Sequence, residues 1–126
     1  MNENKQKELA KSIADVAFTS LDNKKGLDVT TLEVGSQTIL ADYFVLATGT
    51  SNTHVRALAD EVEFQLKEQL GVTPNHIEGA TGNAWTLLDY GCVVINVFTS
   101  QARDFYKLER LWNGGEVISN NSEEQE

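Results

Sequence analysis

This sequence of 126 residues is poor in cysteine, in long apolar runs and in basic residues. Its one cysteine, Cys92, excludes an internal disulfide and agrees with a reducing compartment. The longest apolar segments, such as 93–98, fall far short of the roughly 20 residues that a bilayer span needs. The N-terminal residues also lack the apolar core of a signal peptide, so we expect a cytoplasmic protein with no membrane partner.

The scarcity of basic residues bears on the choice of partner. Lysine and arginine number 10 against 19 aspartates and glutamates, which gives a net charge of −9. Glu123, Glu124 and Glu126 account for three of these charges, so the rest of the chain still carries about −6. Nucleic-acid-binding proteins usually carry a basic stripe, so little direct contact with RNA is expected. A basic protein is the better electrostatic match, although the charge would equally serve solubility alone.

Hydrophobic periodicity predicts one domain with elements in the order α-β-β-α-(β)-β-β-α. Helices are predicted over 3–22, 51–70 and 103–112, and strands over 27–34, 42–49, a short stretch near 76–79 and the hairpin 84–98. Ser51 is the expected N-cap of the second helix, Gly71 its stop, and Gly26 a left-handed cap after the first helix. This order predicts an α/β fold with one mixed sheet packed by helices. We place the domain at 1–113 and a flexible acidic tail at 114–126.

The turn Gly49-Thr50-Ser51, between a strand and a helix, is the first candidate site. Backbone amides at a helix N-terminus can bind phosphate, and such a turn also opens the sheet of nucleotidyltransferases. That chemistry requires carboxylates that converge on Mg²⁺, but Glu61 and Glu63 point about 200° apart on the predicted helix. A capped turn is therefore favoured, and a nucleotidyltransferase-type enzyme that uses Gly49–Ser51 for phosphate binding is the alternative.

Cysteine and histidine provide no second catalytic candidate. Cys92 begins a β-branched strand, and neither His54 nor His76 is close enough in sequence to be assigned as its base. With a single cysteine, the two histidines also show no zinc-binding spacing. We therefore predict no catalytic, cofactor-binding or metal-binding residues.

The predicted hairpin turn is flanked by Trp85 and Tyr90, with Asp89 beside it. Alternation places Trp85, Leu87 and Asp89 on one face of the strand. Burying Asp89 without a partner would be costly, so that face is expected to be at least partly exposed. Trp85 is then either an anchor for a protein partner or a core residue covered by the last helix, and periodicity favours neither.

The last predicted helix carries two stripes of side chains. The first, expected to be buried against the sheet, consists of Phe105, Leu108 and Trp112. The second, for which we predict contact with a partner or hydrogen bonds to the turn at Asp89, consists of Arg103, Tyr106 and Arg110. The alternative is that the arginines are solvated and pair with Asp104 or Glu109.

Five motifs occur in a specific order: ADYFVLATGTSNTHVRALAD (41–60), EG (78–79), WTLLDYG (85–91), NVF (96–98) and RDFYKLERLW (103–112). Together they resemble the ribosomal silencing factor family, also called RsfS or Iojap-like proteins, over about residues 5–113. The resemblance implies a nucleotidyltransferase-like α/β fold without the catalytic carboxylates. It also implies binding to the large ribosomal subunit through a ribosomal protein at the subunit-joining face, so that the small subunit cannot dock. It further implies that translation is thereby damped when nutrients are scarce.

The same resemblance implies a partner-contact role for Trp85, and less directly for Asp89 and Tyr90, within the motif W-x-L-x-D-Y-G. Two positions depart from the family. Cys92 stands where the family commonly has an acidic residue, and Asn96 where it commonly has histidine, so contacts of the second hairpin strand are not carried over. A homo-oligomeric scaffold that pairs through the hairpin or the last helix is a third interpretation. For the free protein, the sequence is compatible with a monomer and with a homodimer.

Overall fold

The computed structural model describes residues 2–35, 41–79, 84–106 and 116–121. Its elements are, in chain order, α1 (Asn2–Asn23), β1 (Leu27–Glu33), β2 (Tyr43–Gly49), α2 (Asn52–Leu70), β3 (His76–Glu78), β4 (Trp85–Asp89), β5 (Val93–Thr99), α3 (Ser100–Tyr106) and β6 (Glu116–Asn120). The helices and strands predicted up to β5 are confirmed to within one residue at each end. None of the described helices is both long and apolar enough to cross a bilayer.

The six strands form one mixed sheet in the order β3-β4-β5-β2-β1-β6. Strands β2 and β5 pair in parallel, and every other neighbouring pair is antiparallel. Strands β4 and β5 form the predicted hairpin, in which Trp85 lies opposite Phe98 and Asp89 opposite Val94. A single mixed sheet packed by helices confirms the predicted α/β class.

The main hydrophobic core lies between the sheet and the helices α1 and α2. The helix α2 is amphipathic, and its buried stripe consists of Val55, Leu58, Ala59, Val62 and Leu66. Both predicted caps of α2 are confirmed. The Ser51 hydroxyl accepts a hydrogen bond from the His54 amide at 3.1 Å, and Gly71 adopts the left-handed conformation with φ of 68°.

The turn after α1 differs from the prediction at Gly26. The left-handed residue there is Lys25, with φ of 68°. A Cβ at Gly26 would lie 2.9 Å from the carbonyl oxygen of Leu21, to which the Gly26 amide donates at 2.8 Å. The prediction of a left-handed Gly26 is therefore wrong, because the close approach of the chain to the end of α1 is what requires glycine.

The C-terminal segment contains a strand that the sequence-based prediction missed. Residues 116–120, predicted as part of a flexible tail, form β6 antiparallel to β1. Asn121 then binds the α1–β1 turn, since its Oδ1 accepts from the Val29 amide at 2.8 Å and its Nδ2 donates to the Gly26 carbonyl at 3.2 Å. The tail prediction is wrong for this segment, which completes the backbone pairing of β1. Residues 122–126 lie outside the described part of the chain.

Helix α3 packs on the other side of the sheet from α1 and α2. It follows β5 directly, and the Thr99 hydroxyl accepts a hydrogen bond from the Ala102 amide at 3.1 Å in its first turn. Ala102 packs there on Leu46 and Phe98 and forms a second, smaller hydrophobic cluster. We call this side of the sheet the α3 face.

Candidate functional site

The α3 face brings partly exposed apolar side chains together across neighbouring strands. Register places five residues in one row: Asp89, Val94, Phe44, Leu32 and Val117. Trp85 and Leu87 lie on the same face of β4, and both are half-buried. Val117, at the end of the row, is 56% exposed. A group of partly exposed apolar side chains on one face of a sheet is typical of a protein-binding surface.

Most charged side chains on the strands of the sheet, which we call the sheet layer, are acidic. Among the described strand side chains the charged groups other than His76 are carboxylates: Glu78 and Asp89 lie on the α3 face, Asp28 pairs with Arg103 of α3, and Glu33 lies on the side of α1 and α2. The described lysines lie elsewhere, on α1, α2 and the turn after α1. A partner that approaches the α3 face near Trp85 therefore meets apolar side chains beside the carboxylates of Glu78 and Asp89, which favours a basic protein over RNA.

Trp85 is half-buried on the α3 face. Its indole Nε1 donates a hydrogen bond to Asn96 Oδ1 at 3.0 Å, and its ring packs against the small cluster that contains Phe98. It also lines a shallow depression together with Glu78, Gly79 and Leu87. One portion of the ring is thus packed and another is exposed, and the role of Trp85 as an anchor for a protein partner stays a prediction.

Asp89 ends β4 and shapes the hairpin turn. Its Oδ1 accepts a hydrogen bond from the Gly91 amide at 2.8 Å, and Gly91 has φ of 84°, a conformation that favours glycine. The side chain is half-buried, so the predicted partial exposure of its face is confirmed. A contact of Asp89 with a partner stays a prediction.

Tyr90 belongs to the main hydrophobic core. It is only 8% exposed and packs with the residues under α1 and α2. Alternation along the chain explains this position, because the residue after Asp89 points to the opposite side of the sheet. The partner contact of Tyr90 stays a prediction, against which its burial weighs because the ring has little surface to offer.

Replacing Tyr90 by phenylalanine is expected to leave the free energy of unfolding at neutral pH unchanged or to raise it by up to about 1 kcal/mol. The reason is that the buried hydroxyl has no hydrogen-bond partner among the residues that the structure describes. Urea unfolding measures the effect. A loss of more than about 1 kcal/mol would contradict it, because it would show that the hydroxyl makes a stabilising bond.

The same variant should also respond differently to alkaline pH. Burial, and then the nearby carboxylate of Glu63, raise the pKa of the Tyr90 phenol far above its ordinary value of 10.0. The unfolded chain releases this proton at a lower pH than the folded protein does, so the stability is complete below about pH 10 and falls as the pH rises further. Tyr90→Phe should remove this part of the alkaline loss.

Arg103 is bound within the domain. Its guanidinium lies 3.3 Å from the Asp28 carboxylate, donates to the Thr48 hydroxyl at 2.8 Å and stands over the Phe98 ring at 5.1 Å from the centroid. The predicted bond to Asp89 is replaced by these contacts with Asp28 and Thr48, and the alternative pair with Asp104 or Glu109 involves side chains outside the described ones. The partner contact of Arg103 stays a prediction, and with its side chain only 11% exposed it has little free surface for such a contact.

The remaining predictions for the last helix fall largely outside the described residues. The structure places Tyr106 in the backbone of α3 but does not describe its side chain, and the same holds for Phe105. Leu108, Arg110 and Trp112 lie outside the described residues. Their predicted burial or partner contact stays a prediction.

The turn Gly49–Ser51 is closed by the chain itself. The Thr50 amide donates to His54 Nδ1 at 2.9 Å, and His54 Nε2 donates to the Lys24 carbonyl at 3.0 Å. A Cβ at Gly49 would lie 2.9 Å from the Val55 side chain, so packing against α2 accounts for the glycine. These contacts favour the capped turn over a phosphate site. The described residues also contain no group of three histidine, cysteine or acidic side chains that could hold a metal ion.

Sequence reasoning missed two features of the α3 face. Leu32, Phe44 and Val94 were assigned only to strands, although alternation along β1, β2 and β5 carried the signal that they share a face. Asn96 was noted only as a departure from the family, and its bond to Trp85 depends on the register between β4 and β5. The turn around Gly91 was the signal that could have fixed this register, because loop length sets the pairing in a hairpin.

The fold and the site define a small α/β domain whose α3 face, in the part that the structure describes, combines apolar and acidic side chains. The family model named ribosomal silencing factor during starvation matches residues 5–126, so the chain belongs to the ribosomal silencing factor (RsfS) family, and the resemblance seen in the motifs is confirmed.

Relatives with known names agree with this membership. The ribosomal silencing factor of Chromobacterium violaceum is 39% identical over 102 residues, which cover 81% of this chain and 83% of that protein. The factor of Bacillus subtilis is 36% identical over 81% of this chain and 86% of its own length. A mouse protein named for the mitochondrial assembly of the ribosomal large subunit is 29% identical over 82% of this chain but 46% of its own length.

Solved structures are similar as well. A crystal structure of a protein from Chromobacterium violaceum has a TM-score of 0.78 at 34% identity and covers 92% of this chain and 98% of that one. One from Bacillus halodurans has a TM-score of 0.75 at 30% identity, with 86% and 98% covered.

Proposed function

We propose that this protein binds the large ribosomal subunit through a basic ribosomal protein at the subunit interface and thereby blocks joining of the small subunit, which represses translation. Membership of the silencing factor family supports a role on the ribosome. So do the names of the relatives, which refer to ribosomal silencing in bacteria and to assembly of the large subunit in mouse mitochondria. The proposed place of action is the cytoplasm, where bacterial subunits join.

The observation that carries the choice of partner is the charge of the sheet layer. Apolar side chains on the α3 face, Phe44 and Trp85 among them, are accompanied by the carboxylates of Glu78 and Asp89, while the cation on that face, Arg103, is paired with Asp28 among the described residues. Phosphate groups of ribosomal RNA would be repelled by such a layer, whereas the basic surface of a ribosomal protein would be attracted. The aromatic residues supply the desolvated contact that gives such an interface its affinity.

Steric exclusion requires no chemistry from the bound domain. A compact chain of 126 residues has a radius of gyration of about 14 Å, which corresponds to a body about 35 Å across. Such a body at a subunit interface cannot be accommodated by movements of side chains. The silencing effect then depends only on the affinity and the position of binding.

A subunit-joining experiment tests this mechanism. Large subunits are incubated with the protein before small subunits are added, and joined ribosomes are measured by light scattering or on sucrose gradients. We expect the joined fraction to fall as protein approaches one copy per large subunit, and to be unaffected when the protein is incubated with small subunits and then removed. Unchanged joining at saturating protein would contradict the steric mechanism.

The proposal includes the absence of enzymatic activity, which separates it from the nucleotidyltransferase alternative. Because the Thr50 amide is used by His54, calorimetry with nucleoside triphosphates and Mg²⁺ should show no specific binding. The relatives are likewise named as silencing factors and not as enzymes. A Mg²⁺-dependent signal at micromolar affinity would contradict the proposal, most directly if it were lost in Ser51→Ala.

A further inference from the structure

Asn96 is a polar side chain at a fully buried position on the α3 face. It is 0% exposed in the middle of β5, with Leu46 opposite on β2 and Leu87 opposite on β4. Its Oδ1 accepts the hydrogen bond from Trp85 Nε1 at 3.0 Å. Its Nδ2 is buried without an acceptor among the residues that the structure describes. Burying an amide in this way costs stability, so it calls for an explanation.

Folding alone does not explain this pair. An aliphatic side chain at position 96 together with phenylalanine at position 85 would fill the same face with no polar group to satisfy, and such a replacement is neutral or stabilising in general. What the hydrogen bond between Asn96 and Trp85 adds is a fixed orientation of the tryptophan ring. A tryptophan on a sheet can rotate about two side-chain bonds, and a fixed acceptor for its N–H selects one orientation of the ring.

We propose that Asn96 is a positioning residue that holds Trp85 in the orientation in which the partner meets it. This inference rests on the proposed function, because it assumes that Trp85 contacts the partner. The buried amide turns the polar edge of the indole into the sheet, since the N–H must point at Oδ1. The part of the ring left to the partner is therefore apolar.

This orientation specifies the chemistry on the other side of the interface. A tryptophan whose N–H is already bonded offers a partner its hydrophobic surface and its π face, and not a hydrogen-bond donor. The matching group is an aliphatic side chain or the cation of a lysine or arginine over the ring, which suits a basic protein. Removing the N–H from Trp85 should then weaken binding only through the loss of orientation.

The first arm of the test follows the indole itself. In a Trp112→Phe background Trp85 is the remaining tryptophan of the two in the sequence, so its N–H gives a single resonance. We expect this proton to be protected from solvent exchange, and Asn96→Val to reduce the protection at least tenfold. Asn96→His, whose ring nitrogen can accept the same bond, should retain it. Equal protection in Asn96→Val would overturn the proposal.

The second arm measures affinity for isolated large subunits. We expect Asn96→Val to weaken binding about tenfold and Asn96→His to stay within about threefold of the wild type. Ile95→Val is the matched control, because Ile95 is the fully buried neighbour in β5 that faces the main core, and its affinity should not change. A loss in the control equal to that in Asn96→Val would overturn the proposal by showing a general effect of packing.

A double-mutant cycle isolates the contribution of orientation. In a Trp85→Phe background there is no N–H to hold, so Asn96→Val should change affinity by less than about twofold. A tenfold loss in that background would show that Asn96 acts by another route and would overturn the proposal. If the wild type itself fails to bind large subunits, the proposed function fails, while the exchange arm still decides whether Asn96 holds the indole.

Discussion

Replacing Trp85 by alanine is expected to lower the affinity for the large ribosomal subunit by about thirtyfold or more, which corresponds to about 2 kcal/mol. The expectation follows from a half-exposed indole on the acidic, apolar α3 face. The variant should also lose about 2 kcal/mol of folding stability, because part of the ring is packed near Phe98 and Asn96 loses its donor. Binding and urea unfolding of the same preparation measure both effects.

Leu88→Ala is the matched control for this prediction. Leu88 is also on β4, but it is 1% exposed and faces the main core, so its loss should cost about 2–5 kcal/mol of stability. Measured where both variants are folded, its affinity for the subunit should equal that of the wild type. Unchanged affinity in Trp85→Ala would contradict the anchor assignment and leave the residue with a structural role alone.

Replacing Arg103 by alanine is expected to reduce folding stability by about 2–3 kcal/mol and to leave ribosome affinity within about threefold. The guanidinium joins α3 to β1 and β2 through Asp28 and Thr48, and it covers the Phe98 ring. Asp28 also has a positive φ of 48°, a conformation that its bonded neighbours help to hold. Thermal and urea unfolding midpoints measure the loss.

Two variants calibrate the Arg103 effect. Arg103→Met keeps the apolar stem over the ring, so it should recover part of the lost stability. Arg56→Ala removes an arginine that is 63% exposed and paired with Asp60 at 3.8 Å, and should change stability by less than about 0.5 kcal/mol. A large loss of ribosome affinity in folded Arg103→Ala would support the original prediction that this residue contacts the partner.

Those parts of the fold that depend on local chemistry could be predicted from the sequence. The α2 boundaries follow from Ser51 and Gly71, because capping and the left-handed stop involve neighbouring residues. The β4–β5 hairpin follows from two β-branched runs around the turn at Gly91. Its alternation also correctly indicated partial exposure of the face that carries Trp85 and Asp89.

Features that depend on distant residues could not be predicted in the same way. The strand β6 is short and lies among polar residues, and its pairing with β1 is supported by Asn121, which bonds to Val29 across 92 positions. Arg103 and Asp28 are also far apart in sequence, so periodicity placed the arginine on an outer stripe although it bonds inward. Tyr90 is a different case, because alternation from Asp89 already indicated the core and only its motif suggested the surface.

Co-sedimentation of the purified protein with separated ribosomal subunits tests the central claim most directly. The protein is mixed with large or small subunits at physiological salt, because low salt would exaggerate the contribution of surface charge, and each mixture is pelleted through sucrose. The account predicts recovery of about one copy per large subunit and none with small subunits. Equal recovery with both subunits, or recovery with neither, would contradict it.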